Sequence, residues 1–162
     1  MAKLILICGK ICSGKTTYAK SLLKEMRGIL LSCDEITLSL FGQSIGENHD
    51  EIVDRTMKYL FNKSLEVLSA GINVVMDFGF WQRTDRREAN DFYRQHGVTP
   101  QWHYVDVADD VWRVNLKKRN EALTAGANND YYIDDNIAHK FWRMFEEPTQ
   151  DEMDVWYKND WV

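Results

Sequence analysis

Short apolar runs alternate along the chain with longer segments of helical spacing. The apolar runs cover residues 4–8, 29–33, 72–76 and 102–107. The first run, at residues 4–8, is uninterrupted, which is typical of a strand that is buried on both faces of a parallel sheet, and the run at 102–107 alternates or runs apolar. A further short apolar pattern predicts a fifth strand near residues 155–157.

Between these runs, hydrophobic residues recur every three or four positions, which is the spacing of one helix face. This pattern predicts helices over residues 15–27, 51–70, 84–96, 110–124 and 134–145. Strands that alternate with helices indicate a mostly parallel sheet with helices on both faces. No linker or repeat divides the 162 residues, which predicts a single domain over residues 1–162.

Three residues that could bind a ligand or take part in catalysis lie where predicted strands end. Gly9, Asp34 and Asp77 each follow one of the apolar runs directly. In open α/β sheets, ligands bind outside the carboxyl ends of the strands. We therefore expect these three residues to meet in one cleft.

Residues 9–16, GKICSGKT, match the phosphate-loop pattern G-x-x-x-x-G-K-[ST] at every fixed position. The glycines let backbone N–H groups turn towards an anion, and the next helix adds the positive end of its dipole. Lys15 is expected to reach the β- and γ-phosphates, and the Thr16 hydroxyl to bind Mg²⁺. A glycine turn that matches by chance is the alternative. The predicted nucleotide-binding residues are Gly9, Lys10, Ile11, Cys12, Ser13, Gly14, Lys15, Thr16 and Thr17.

The composition indicates which cellular environment and which binding partners to expect. The formal net charge is −5, so no overall basic field favours a nucleic acid. The apolar run at residues 4–8 is too short for a membrane span or a signal sequence, so we expect no membrane partner. The three cysteines show no metal-ligand spacing and are typical of a reduced, cytoplasmic protein.

A phosphate loop alone does not distinguish a kinase from a GTPase or a motor ATPase. The chain has no N-K-x-D run to read a guanine base, and it is short for a motor protein. The polar segment at residues 125–133 lies where a kinase carries a lid that excludes water. These features favour a kinase with a small acceptor.

Five segments together resemble the P-loop kinase family that includes polynucleotide kinase, zeta toxin and chloramphenicol phosphotransferase. They are, in chain order, GKICSGKTT, LLSCDE, NVVMDFGFWQRTDRR, VDVADDVWRVNLKKRN and FEEPTQDE. The likeness is greatest to the small bacterial "AAA domain" ATP-binding members of that family. It implies a P-loop NTPase fold with a five-stranded sheet in the order 2-3-1-4-5. It also implies a small lid over about residues 119–134, with ATP and Mg²⁺ as cofactors.

The resemblance assigns roles to two carboxylates. Asp34 matches the aspartate that accepts the proton of the acceptor hydroxyl, and a carboxylate suits that task. Its alternative is a helix cap or a loop residue, with Glu35 as the substitute base. Asp77 follows a run in which four of five residues are apolar, as a Walker-B carboxylate does, and is expected to support Mg²⁺. A cap for the following segment is its alternative.

Positive charge over the moving phosphoryl group is expected from the helix before the lid. Arg119 matches the second arginine of the family's R-L-x-x-R pattern, whereas Asn115 stands in place of the first. A second basic cluster, at residues 83–87, is the other candidate. A solvated helix face is the alternative for either cluster.

The residues that follow the expected base differ from those of some family members. Polynucleotide kinase and zeta toxin carry an arginine shortly after the base, where this chain has Thr37, Leu38 and Ser39. The sequence therefore predicts a kinase that moves the γ-phosphoryl of Mg·ATP to a hydroxyl of a small molecule, as a monomer or homodimer. A polynucleotide 5′-hydroxyl kinase and an ATP-binding regulatory module with weak turnover are the alternatives.

Overall fold

Strand β1 (Leu4–Cys8) is the first apolar run, and every one of its residues is buried. The computed structural model describes residues 1–126 and 131–160 of the protein. The remaining elements, in chain order, are α1 (Lys15–Glu25), β2 (Gly28–Leu31), α2 (Cys33–Phe41), α3 (His49–Ser69), β3 (Asn73–Gly79), α4 (Arg83–Gln95), β4 (Gln101–Val107), α5 (Asp109–Thr124), α6 (Asp135–Met144), a 3₁₀ turn (Gln150–Glu152) and β5 (Val155–Asn159).

Every strand and helix that the pattern predicts is present, and the ends differ from the prediction by at most three residues. Helix α2 was not predicted. It begins at an N-cap, Ser32, whose hydroxyl accepts a hydrogen bond from the backbone N–H of Glu35. The predicted lid includes the end of α5 and residues 131–134, and its residues 127–130 lie outside the described part of the chain.

The strands of the described residues form one five-stranded, all-parallel sheet in the order β2-β3-β1-β4-β5. Strand β1 is central, with Leu4 opposite Val74 on β3 and Ile5 opposite Gln101 on β4. This arrangement confirms the predicted fold class and strand order. Because all strands are parallel, their carboxyl ends lie along a single edge of the sheet.

The core has two layers, one on each face of the sheet. Alternate residues of β1 point to opposite faces, so Leu4, Leu6 and Cys8 pack in one layer and Ile5 and Ile7 in the other. Helices α3 and α4 cover the first layer, and α1 covers the second. A third apolar cluster joins α5 to α6 beside the sheet.

Two findings concern the predicted environment. No disulfide links the three cysteines, all of which lie in the described residues. Among the described residues, no helix is both long and apolar enough to cross a membrane.

Candidate active site

The loop after β1 has the backbone of an anion site. Gly14 and Cys12 take left-handed conformations, with φ of 92° and 57°. The Gly9 N–H donates to the carbonyl of Gly79 at 3.0 Å, which fixes the loop to β3. A Cβ on Gly9 would lie 2.7 Å from the Ser13 hydroxyl, so no larger residue fits there. Helix α1 begins at Lys15 and directs its N-terminal N–H groups towards the loop.

Lys15 lies across this loop. Its ammonium donates a hydrogen bond to the Lys10 carbonyl at 2.5 Å. Burial lowers the pKa of Lys15, and the Asp77 carboxylate acts in the opposite direction. The loop also holds a fully buried hydroxyl, Ser13 Oγ, with no hydrogen-bond partner among the described residues. A half-buried ammonium and one buried hydroxyl without a partner, both in a glycine loop, fit a nucleotide phosphate.

Asp77 and Thr16 form a pair of oxygen donors beside the loop. The Thr16 hydroxyl donates to Asp77 Oδ2 at 2.6 Å. Asp77 is only 8% exposed, and burial raises its pKa while the Lys15 ammonium and the Thr16 hydroxyl act to lower it. Hydroxyl and carboxylate oxygens suit Mg²⁺, which binds through few protein ligands together with phosphates and water. Among the described residues, no group of three or more His, Cys, Asp or Glu side chains could hold a metal ion.

Asp34 lies in the first turn of α2 with an exposed side chain. The cap of this helix is Ser32, so Asp34 does not have the capping role that the sequence left open. Its charge acts on the pKa values of both Lys15 and Asp77, raising each. Asp34 therefore lies on the same edge of the sheet as the phosphate loop, within electrostatic range of Lys15 in the loop and Asp77 in β3. Strand β3 extends two residues beyond Asp77, which therefore lies inside the strand.

Arg119 projects from α5 to the same loop. Its guanidinium donates to the Cys12 sulfur at 3.1 Å, and its charge acts to lower the pKa of Asp77. The cluster at residues 83–87 behaves differently. Arg83 and Arg87 are exposed, while Arg86 is buried and ion-paired with Glu152 at 3.0 Å. Of the two basic clusters, only the one on α5 reaches the phosphate loop.

Two features of the site were not predicted. The amide of Asn159, the last residue of β5, donates to the Ser13 carbonyl at 2.8 Å. The hydroxyls of Thr37 and Tyr131 lie 2.9 Å apart on the Asp34 side. The position of Asn159 at the end of a predicted strand was a usable signal, because ligand-binding residues collect at that edge. No comparable pattern marks Tyr131.

The loop, the parallel sheet and the strand order define a P-loop NTPase with the topology of a kinase. The family model described as "AAA domain" matches residues 4–132, so the chain belongs to this family. A search of the curated proteins gave no significant match.

Solved structures share the fold at low sequence identity. Kti12 of Chaetomium thermophilum, in complex with ADP-AlF3, aligns with a TM-score of 0.72 and 17% identity, covering 98% of this chain and 89% of that one. The APS kinase CysC of Mycobacterium tuberculosis, in complex with AMPPNP and APS, aligns with a TM-score of 0.65 and 15% identity, covering 99% of this chain and 90% of that one. A chain of the Pnkp1/Rnl/Hen1 RNA repair complex aligns with a TM-score of 0.69 and 18% identity, covering 88% of this chain and 43% of that one. At these identities the likeness establishes the fold.

Proposed function

We propose that the protein is a kinase that transfers the γ-phosphoryl group of Mg·ATP to a hydroxyl group of a small molecule. One observation carries the proposal: Asp34 lies in the first turn of α2, just after the end of β2, on the edge of the sheet that holds the phosphate loop and the Thr16–Asp77 pair. A phosphate loop needs no such carboxylate merely to bind a nucleotide. A kinase needs one to orient the acceptor hydroxyl and take its proton.

The described residues divide the work of the transfer. Lys15 and the loop N–H groups hold the β- and γ-phosphates, and Thr16 and Asp77 hold Mg²⁺, which neutralises phosphate charge when bound. The acceptor oxygen bonds to the γ-phosphorus as the bond to the β,γ-bridging oxygen breaks and ADP leaves. Asp34 takes the hydroxyl proton. Arg119, next to the loop at Cys12, stabilises the charge of the transferring group.

The two alternatives are each favoured by one feature. The fold likeness to a chain of an RNA repair complex suits a polynucleotide 5′-hydroxyl kinase, whereas the net charge of −5 argues against a nucleic-acid substrate. Asn115 in place of an arginine suits a regulatory module that binds ATP and turns it over weakly.

The test is acceptor-dependent ADP release by the full chain with Mg·ATP. The acceptors are polyols, sugars, nucleosides, aminoglycosides, amphenicols and a 5′-hydroxyl oligonucleotide. We expect one class of small acceptor to stimulate release. Asp34→Asn should lower that rate by a factor on the order of 10² or more while ATP affinity is retained. Glu35→Gln, which removes the adjacent exposed carboxylate, is the matched control and should stay near the wild-type rate.

Two results would contradict the proposed function, and a third would contradict the assignment of the base. Stimulation by the oligonucleotide alone would favour the polynucleotide kinase. Tight ATP binding without stimulation by any acceptor would favour the regulatory module. If Glu35→Gln lost activity and Asp34→Asn kept it, the base would be Glu35.

A further inference from the structure

A pair of hydroxyl groups borders the acceptor side of the site. The hydroxyls of Tyr131 and Thr37 lie 2.9 Å apart, although the residues are 94 positions apart in the chain. Thr37 is on α2, one turn after Asp34, and is 2% exposed. Its hydroxyl also donates to the Asp34 carbonyl at 3.3 Å. The pair therefore connects Tyr131 to the backbone of the proposed base.

Either hydroxyl of this pair can be the donor in the bond between them. A threonine hydroxyl has a single proton, so the contacts of Thr37 with the Asp34 carbonyl and with Tyr131 are both hydrogen bonds only when the Tyr131 hydroxyl donates to Thr37. In that arrangement the phenol oxygen of Tyr131 keeps its lone pairs and accepts a hydrogen bond from a further partner.

A second contact holds this segment against the end of α2. The backbone N–H of Tyr132 donates to the Gln43 side-chain oxygen at 3.2 Å. Burial raises the pKa of Tyr131, and the Asp34 carboxylate adds to the effect, so the phenol stays protonated at neutral pH. Tyr131 is thus an uncharged group held within electrostatic reach of Asp34.

The charges on this side are negative. Asp34 and Glu35 both lie in the first turn of α2. The sequence has no lysine or arginine over residues 32–48 or 131–134. A phosphate or carboxylate on the acceptor would meet like charge here, whereas hydroxyl groups would meet hydrogen-bond acceptors.

We propose that Thr37 and Tyr131 form an acceptor clamp that selects a hydroxyl-rich molecule without a negatively charged group. The Tyr131 oxygen accepts a hydrogen bond from a second hydroxyl of the acceptor while Asp34 takes the proton of the reacting one. Thr37 is a positioning residue that orients Tyr131. This inference rests on the proposed kinase function and names the chemical class of its acceptor.

The first experiment compares acceptors that differ in one charged group. Glucitol is paired with gluconate, and uridine with uridine 3′-monophosphate, in the ADP-release assay with the full chain. In each pair both members offer hydroxyl acceptors. We expect the uncharged member of a pair to have the higher kcat/KM. Preference for the anionic member would overturn the clamp and leave the kinase function standing.

The second experiment removes the phenol oxygen. With the best uncharged acceptor of the panel, Tyr131→Phe should raise the acceptor KM about tenfold, the loss of one hydrogen bond, with the KM for ATP and kcat unchanged. Tyr132→Phe is the matched control, because Tyr132 is 55% exposed and its contact uses only the backbone. Thr37→Val should raise the acceptor KM as Tyr131→Phe does, and Thr37→Ser, which keeps the hydroxyl, should have the wild-type acceptor KM.

The outcomes separate the two proposals. Equal acceptor KM values for Tyr131→Phe and Tyr132→Phe, alongside robust wild-type transfer, would overturn the clamp alone. A fall in kcat with unchanged acceptor KM would also overturn it, since the variant would then have disturbed the chemistry. No stimulation by any acceptor, with ATP still bound, would overturn the kinase function and the clamp together.

Discussion

Lys15 and Asp77 show how burial and charge oppose each other at single residues. Burial lowers the pKa of the first and raises that of the second, while each charge supports the ionised form of the other. Arg119 adds a further positive charge near Asp77. Positive groups already aimed at the loop need little rearrangement when negative charge develops on a transferring phosphoryl group.

Arg119 should therefore act mainly on the transition state. We expect Arg119→Ala to lower kcat by a factor on the order of 10² while ATP affinity changes little. Steady-state kinetics with the stimulating acceptor, together with calorimetric titration of ATP, measure the two effects. Lys118→Ala removes a neighbouring exposed cation and should leave both unchanged. A rise in KM alone would place Arg119 in ground-state binding.

At the residue scale, the residues that the sequence could single out are those that belong to a short motif or follow an apolar run. The loop residues follow from a motif of eight positions, and Asp34 and Asp77 from their places after apolar runs. Contacts between distant positions were not predicted. Thr37 and Tyr131 meet across 94 positions, and Ser13 and Asn159 across 146. Such pairs depend on the docking of whole elements, which periodicity does not report.

At the scale of elements, the strands and long helices were predictable because each repeats its pattern over several turns or residues. Helix α2 has only nine residues and two β-branched ones, Ile36 and Thr37. Its N-cap at Ser32 and its packing against α3 account for its presence. The missed helix is the one that carries the proposed base: the sequence assigned Asp34 to the end of a strand, and the structure has it in the first turn of α2.

Strand β5 also contributes to the site, through its last residue. The Asn159 amide satisfies the Ser13 carbonyl, and a Cβ on Gly14 would lie 2.5 Å from that amide nitrogen. We expect Asn159→Ala to weaken ATP binding by about 1 kcal/mol or more, which is roughly a fivefold rise in Kd. The variant removes the hydrogen bond that holds the loop, and the buried Ser13 carbonyl is left without its donor.

Calorimetric titration of ATP into the variant measures this effect. Lys158→Ala changes the adjacent exposed residue of β5 and is the matched control. An unchanged ATP Kd for Asn159→Ala, with normal thermal stability, would mean that the loop holds its shape without β5.

At the scale of the whole molecule, the segment between α6 and β5 must return the chain to the sheet. The Glu146 N–H donates to the Trp81 carbonyl at 2.8 Å, and the Asp154 N–H to the Trp102 carbonyl at 2.8 Å. Arg86 lies beneath this segment. Its guanidinium pairs with Glu152 and donates to the carbonyls of Phe80 and Glu146. A single buried cation thus joins α4, the turn after β3 and the segment that leads into β5.

Arg86 should consequently matter for stability more than for catalysis. Arg86→Leu leaves the Glu152 carboxylate and several carbonyls without their donor, and we expect a loss of about 3–5 kcal/mol in the free energy of unfolding. For a chain of this size, that corresponds to a fall in Tm of roughly 2–4 °C per kcal/mol. Denaturant titration and thermal melting measure it. Arg87→Leu, at an exposed position of the same helix, should change stability little.

The pH dependence of this loss tests its cause. Burial acts to raise the pKa of Glu152, but the hydrogen bonds from Arg86 and Thr149 outweigh it and hold the pKa below the usual 4.5. A carboxylate with a lowered pKa stabilises the fold above its unfolded-state pKa, and this contribution disappears as pH falls through the folded-state value. The stability difference between wild type and Arg86→Leu should therefore be full at neutral pH and shrink as pH falls below 4.5 and through the folded-state pKa of Glu152. A difference that stayed constant across that range would assign the loss to packing of the arginine stem and not to the ion pair with Glu152.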